Sequence, residues 1–176
     1  MKTFEEIFAI LQSKFEGEEN ITTHKEGTED VLQVAPLLIK EVSSFLISEP
    51  ELKFDSLILL TGVDDENGEK TTLEDGSFEI KGGTLSVYYH LESTTLTHKL
   101  IVRVSVPREE PVCPSVALVW RCADWHEREA FDLLGIVFEG HPELKRILMP
   151  YDWEFGYPLR KDYKNPEFYN GMKVPY

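Results

Sequence analysis

Phe4, Ile7, Phe8, Leu11 and Phe15 recur at i, i+3, i+4, i+7 and i+11, the spacing of one face of an α-helix. Thr3, with Glu6 three residues on, supplies a capping box at its start, and Gly17 closes it. The stretches Asn20–Lys25 and Asp30–Ala35 read as strands, the first with the β-branched run Ile21-Thr22-Thr23, and Glu26-Gly27 lies between them as a hairpin turn. Pro36 suits the first turn of a second helix, in which Leu38, Val42, Phe45 and Leu46 share a face and Pro50 lies beyond the end. Ser56–Val63 is the most apolar run. Its consecutive Leu57, Ile58, Leu59 and Leu60 predict a strand covered on both faces. Asp64–Gly83 is polar, with Asn67-Gly68 and Asp75-Gly76 as turn dipeptides, and reads as a loop or a small exposed hairpin. Thr84–Leu91 and Leu100–Val106 are strands joined by a polar tip at Ser93–Thr97. Pro107–Pro114 is a crossover, and Val116–Trp120 a short helical lead into the next element.

The stretch from Asp124 to Tyr163 is denser in chemistry. Asp124 caps a helix with Glu127 as its capping-box partner, and Gly135 supplies a left-handed C-terminal cap. Ile136-Val137-Phe138 reads as a short extended run, and Gly140 and Pro142 mark a turn. Leu144, Ile147 and Leu148 then fall on one helical face, stopped by Pro150. Beyond it, Pro158, Pro166 and Pro175 disfavour a helix, and eight aromatics up to Tyr176 form a tail too apolar to lie free. The chain divides into a single α/β domain over residues 1–148 and an extended, partner-docking tail over residues 149–176.

Composition narrows the function. The 176 residues carry a net charge of −14, which argues against binding nucleic acid, whose phosphates need clustered Lys and Arg, and against direct docking on anionic lipid. No run approaches the ~20 apolar residues that span a bilayer. The two cysteines, Cys113 and Cys122, follow an acidic, amphipathic N-terminus without a signal-peptide core, so reduced cytosolic thiols are the expectation. An iron–sulfur cluster takes about four thiolates, more than this chain has. The sequence holds no phosphate-cradling glycine loop and no nucleophile elbow. His126, Glu129 and His141 are the candidate metal ligands: the first two share a helix face at i and i+3, and the third approaches from the turn. Glu127, Arg128, Glu129 and Asp132 form a charge cluster that is either a solvated helix face or a buried ion-pair network at a contact.

The run E-R-E-A-F-D-L-L at Glu127–Leu134, followed by His141, Lys145, Ile147 and Leu148, and the separate run P-L-R-K-D-Y at Pro158–Tyr163, resemble the C-subunit family of NADH:quinone oxidoreductase, the 30 kDa subunit of respiratory complex I. The resemblance implies an α+β fold: a two-layer α/β core with a mixed sheet, in the order helix, two strands, helix, three strands, helix, and an extended C-terminal tail. It implies a cofactor-free peripheral-arm subunit on the cytoplasmic side of the cell membrane. Its chief partner would be the D subunit of that complex, with the B and I subunits nearby, and membrane contact would come only through them. FMN, iron–sulfur clusters and quinone are expected in those partner subunits. Glu127, Arg128, Glu129, Asp132, His141, Arg146, Arg160, Lys161 and Asp162 are then interface residues, not catalytic ones. Two alternatives remain: the homologous subunit of a membrane-bound nickel–iron hydrogenase or related dehydrogenase, and a free-standing metal-dependent enzyme built on His126, Glu129 and His141.

Overall fold

The computed structural model describes residues 1–15, 17 and 20–174; Pro175 and Tyr176 of the tail lie outside them. Helix α1 (Phe4–Lys14) forms where the apolar spacing sets it. The Thr3 hydroxyl accepts from Glu6 N–H, and Glu6 accepts from Thr3 N–H at 2.8 Å. Ile7 and Leu11 are fully buried, and Phe4, Phe8 and Phe15 pack partly against the same core. Strands β1 (Ile21–Glu26) and β2 (Glu29–Val34) form the expected hairpin, with Gly27 at φ 60° in its turn. A 3-10 turn at Pro36–Leu38 leads into α2 (Ile39–Ser48), which buries Ile39, Val42 and Leu46.

Then follow β3 (Ser56–Asp64), the exposed hairpin β4 (Glu69–Thr72) and β5 (Phe78–Lys81), and the long strands β6 (Thr84–Glu92) and β7 (Lys99–Pro107). Next come β8 (Val112–Pro114), α3 (Ala123–Leu134), β9 (Val137–Glu139) and a last small hairpin, β10 (Phe168–Tyr169) with β11 (Met172–Lys173). The main sheet has the order β1-β2-β7-β6-β3. It is mixed, because β2 runs parallel to β7 while its other pairs are antiparallel. The fold is therefore α+β, as the family resemblance implies. Strand β8, inside the expected crossover, is an addition, and it pairs parallel with β9, which falls on the expected extended run.

Alternation along β6 and β7 explains the layering. Leu85, Val87, Tyr89 and Leu91 on one strand, and Leu100, Val102, Val104 and Val106 on the other, are buried in the core with the helices. The residues between them point to the opposite face.

The apolar run in β3 is not covered on both faces. The strand lies at the sheet edge, and its register shifts between Leu57 and Leu59, opposite Leu91 and His90. This bulge lets Leu57 and Leu60 both face inward, while Ile58 and Leu59 are turned out and exposed. Four consecutive apolar residues thus mark a bulged edge, not a central strand.

Helix α3 lies against β3 where that strand has no side chain. A Cβ at Gly62 would sit 2.5 Å from Leu134 Cδ1 and 3.3 Å from Ala130 Cβ. Gly62→Ala is expected to destabilise the chain by about 1–3 kcal/mol through overpacking. An unchanged urea midpoint would show that α3 is not seated on this strand.

Candidate functional site

The signature residues gather around α3, whose start differs from expectation. The helix begins at Ala123, and neither Asp124 nor Glu127 caps it. The preceding turns run straight in: Ala123 N–H donates to Trp120 O at 2.9 Å and Asp124 N–H to Arg121 O at 3.4 Å, so backbone acceptors do the capping. The C-terminus is as expected. Gly135 is left-handed at φ 79° and donates to Phe131 O. A Cβ there would also strike the Tyr157 ring at 2.4 Å, so this glycine seats the tail as well as ending the helix.

Glu127 turns into the core and is fully buried. Its carboxylate accepts from the Ser115 hydroxyl at 2.6 Å and from Val116 N–H at 2.7 Å, tying α3 to the segment after β8. The buried His141 ring lies beside it, with Nε2 3.9 Å from Glu127 Oε2 and 3.6 Å from Asp124 Oδ1. His141 Nδ1 accepts from Glu143 N–H at 3.0 Å, and Nε2 lies 3.2 Å from Asp124 O. Burial pushes the Glu127 carboxyl up to about 7, against the lowering effect of Ser115 and Val116.

One helical turn further on, Asp132 is also fully buried. Its Oδ2 accepts three successive amides, Ile147, Leu148 and Met149, at 2.8–3.0 Å, and its Oδ1 takes Arg146 Nη1 at 2.8 Å. Burial alone would raise this carboxyl; the Met149 amide, Arg146 and the other two amides outweigh it and hold the pKa below the ordinary value. The expected helix over Leu144–Leu148 is absent for the same reason, since its amides go to a side chain and not to i−4 carbonyls. Arg128 donates to Lys145 O at 3.2 Å and stacks 4.8 Å from the Trp125 ring, with Asp124 Oδ1 4.0 Å away.

The tail run binds to the same block. Leu159 N–H donates to Leu133 O, and Arg160 Nε donates to Leu134 O at 2.8 Å while stacking on Tyr157. Lys161 contributes its amide, which donates to Asp64 Oδ2 at 2.8 Å. Asp162 accepts from Ile80 N–H and from Arg108, whose other arm lies 2.6 Å from Asp64 Oδ1. Further on, Trp153, Phe155 and Tyr169 cluster with ring centroids 5.2–6.3 Å apart. Part of the tail therefore rests on its own chain, and Tyr151, Phe155 and Leu159 remain exposed.

Sequence reasoning missed Ser115, Asp64 and Arg108. Local pattern carries no signal for them, because the Arg108–Asp162 and Asp64–Lys161 partners are 54 and 97 residues apart. The proposed metal triad does not assemble. His126 and Glu129 line a recess of about 20 Å³ against β3, room for about one water, while His141 is buried beside Glu127. Among the described residues no group of three His, Cys, Asp or Glu could hold a metal. The arrangement is a clamp. Carboxylates and guanidiniums from distant segments satisfy one another, and the face left outward carries Trp125 (64% exposed), Glu129, Leu148 and Leu159.

Comparison with known proteins agrees with this geometry. Residues 32–169 match the family described as respiratory-chain NADH dehydrogenase, 30 Kd subunit. The C subunit of the NADH-quinone oxidoreductase of Chloroherpeton thalassium is 47% identical over 136 residues, 77% of this chain and 50% of the relative. The C subunit of the same enzyme from Chlorobium phaeobacteroides is 45% identical over 137 residues, 77% of this chain and 74% of the relative. The match thus spans half the length of the first relative. Among solved structures, a trypsin-resistant fragment of Nqo5 (residues 1–134) superposes with a TM-score of 0.58 at 27% identity, covering 80% of this chain and 98% of the fragment. A chain of an archaeal membrane-bound sulfane sulfur reductase shares the fold, with a TM-score of 0.54 at 19% identity over 91% of this chain and 85% of that one.

Two variants test the clamp. The folded Glu127 carboxyl keeps its proton in a range where the unfolded one, near 4.5, has lost it. Ionisation therefore opposes folding: the stability present below pH 4.5 is lost as pH rises through about 7, on the order of 3 kcal/mol. Glu127→Gln should flatten that part of the urea-midpoint profile, and a variant that keeps the wild-type slope would assign it to another group. Asp132→Ala leaves three amides and Arg146 without their acceptor and should cost about 3–5 kcal/mol. A loss below about 1 kcal/mol in the same assay would mean that the amides have another partner.

Proposed function

The chain belongs to the 30 kDa subunit family of respiratory-chain NADH dehydrogenase, and from that premise we propose that it is a non-catalytic, peripheral-arm subunit of an NADH:quinone oxidoreductase. In this reading it positions the D subunit, which helps form the quinone site, and lies near the B and I subunits on the cytoplasmic side of the membrane. Among the described residues no helix is long and apolar enough to cross a membrane, which fits attachment through partners. NADH oxidation, flavin, iron–sulfur centres and quinone belong to those partners, and this chain supplies rigid placement.

One observation carries the reading. Among the charged signature residues, Arg128, Asp132, Arg146 and Arg160 tie α3 to the turn after β9 and to the tail, Glu127 ties α3 to the segment after β8, and Asp162 ties the tail to Ile80 and Arg108, so that these segments form one block. Such a block suits the task of keeping a partner at fixed distance. Its outward side has the character of an interface core: an exposed Trp backed by Arg128, with Leu148 and Leu159 on adjoining segments. A homologous subunit of a nickel–iron hydrogenase or related dehydrogenase could use the same scaffold. The 45–47% identity to the two C-subunit relatives favours the NADH:quinone complex.

Trp125→Ala removes the largest exposed ring on this side. The isolated chain should keep its unfolding midpoint to within about 1 kcal/mol. Its affinity for the rest of the peripheral arm should fall by about tenfold or more. Native electrophoresis of membrane extracts and NADH:quinone activity measure the loss, and full assembly at wild-type activity would refute the assignment of this face.

A further inference from the structure

The face of the main sheet opposite the helices divides into two halves. At one end the polar side chains satisfy each other. Arg103 donates to Ser86 Oγ and Asp65 Oδ1, both at 3.0 Å; Asp65 also accepts from Ser86 and Thr84; and Ser105 meets Ser86 and Gln33. That half is closed by its own polar network, with Ser86 buried and the Arg103 and Asp65 side chains largely covered.

The other half is built differently. Val31, Val63, Tyr88 and Ile101 line a hollow of about 340 Å³, which adjoins a second of about 310 Å³ through shared Glu29, His90 and Ile101. Leu59 (41% exposed) and Val63 (36%) carry the apolar surface out to the free edge of β3. At the opposite rim stand Glu26 and Glu29. Glu26 accepts from Tyr88 Oη at 3.1 Å and lies 3.3 Å from His24. Among the described residues neither carboxylate has a Lys or Arg nitrogen within 4.0 Å, since Lys25 pairs with Asp30 and Lys99 with Glu92.

From this juxtaposition we propose that the apolar half of the open sheet face docks a segment of a partner protein in the complex, one that inserts apolar side chains between β3 and β2 and sets a Lys or Arg against Glu26 and Glu29. The inference rests on the reading of the chain as part of a multisubunit complex and adds a second contact surface, distinct from the Trp125 side. An apolar floor excludes water, and an exposed partner cation gains most where two carboxylates lack cations of their own. The same carboxylates repel phosphate headgroups and nucleic acid, which leaves a protein segment as the occupant.

The test uses the complex assembled in native membranes, with a photo-cross-linking side chain at position Thr61 in one strain and at Trp125 in another. The Thr61 position should form an adduct with another subunit, at a peptide containing Lys or Arg. The double variant Glu26→Lys, Glu29→Lys should lower its yield by about tenfold, while the same reversal at the distant Glu74 should leave it unchanged. Carbodiimide labelling of Glu29 should be strong in the isolated chain and suppressed in the complex. An adduct from Trp125 with none from Thr61, an adduct from Thr61 only to lipid or to a second copy of this chain, or equal labelling of Glu29 in both states would overturn this inference alone. A chain that fails to co-purify with the complex would overturn the functional reading beneath it.

Discussion

Three successive amide hydrogens converge on one oxygen of Asp132, and the course of the chain beyond residue 144 is set by that convergence. A carboxylate that accepts three N–H groups and a guanidinium is stable as an anion even when fully buried, because its hydration is replaced donor for donor. Its position on α3 is set by Gly62, which brings the helix onto the edge strand, and by Gly135, which ends it under Tyr157. With helix, turn and tail fixed together, the Arg160 stack on Tyr157 and the Arg108 fork between Asp64 and Asp162 close the block from the far side.

Glu127 works against the same background with the opposite sign. It has one hydroxyl and one amide where Asp132 has three amides and an arginine. Burial therefore dominates, and its carboxyl is raised where that of Asp132 is lowered. Two acids on one helix, both without exposed surface, thus differ in the donors they meet. Cys113, also buried near Glu127, has its thiol pushed up to about 12 by burial, so it packs as a small apolar group beside Tyr89.

What could be read from the chain depends on the range of the interaction that decides each element. Helix α1 was legible to the residue at its cap, because Thr3 and Glu6 act on each other. Strands β6 and β7 were legible because alternation is a local record of burial. Periodicity misled where a side chain replaced a backbone partner. Leu144, Ile147 and Leu148 have helical spacing, but Asp132 holds the amides of Ile147 and Leu148. Asp124 and Glu127 have capping spacing, but Trp120 O and Arg121 O arrive first, and Glu127 is free to turn inward toward Ser115. In β3 a bulge imitates a doubly buried strand. The signature residues Asp132, Arg146, Arg160 and Asp162 were singled out by resemblance, yet their partners could not be. Asp64 and Arg108 come from strand ends far away in sequence, brought near only when the sheet closes.

The distribution of charge separates the two outer surfaces. Much of the clamp's acidity is neutralised within the block, and on the Trp125 side the exposed ring stands with Glu129 on α3 and near the exposed Lys145–Glu143 pair. A buried ion-pair network is weak evidence for stability but holds one arrangement against others, because any slip leaves a charge without its partner. That property matters more to a spacer than extra stability does. The sheet face shows the complementary case. Where Arg103, Asp65 and the serines complete one another, the surface needs nothing further. Where Glu26 and Glu29 border an apolar hollow, with no Lys or Arg nitrogen within 4.0 Å among the described residues, the chain offers part of an interaction that a partner can complete. A net charge of −14 is then not only a solubility device. Acids closed off by arginines shape the molecule, and acids left open beside apolar surface select a partner by the charge it carries.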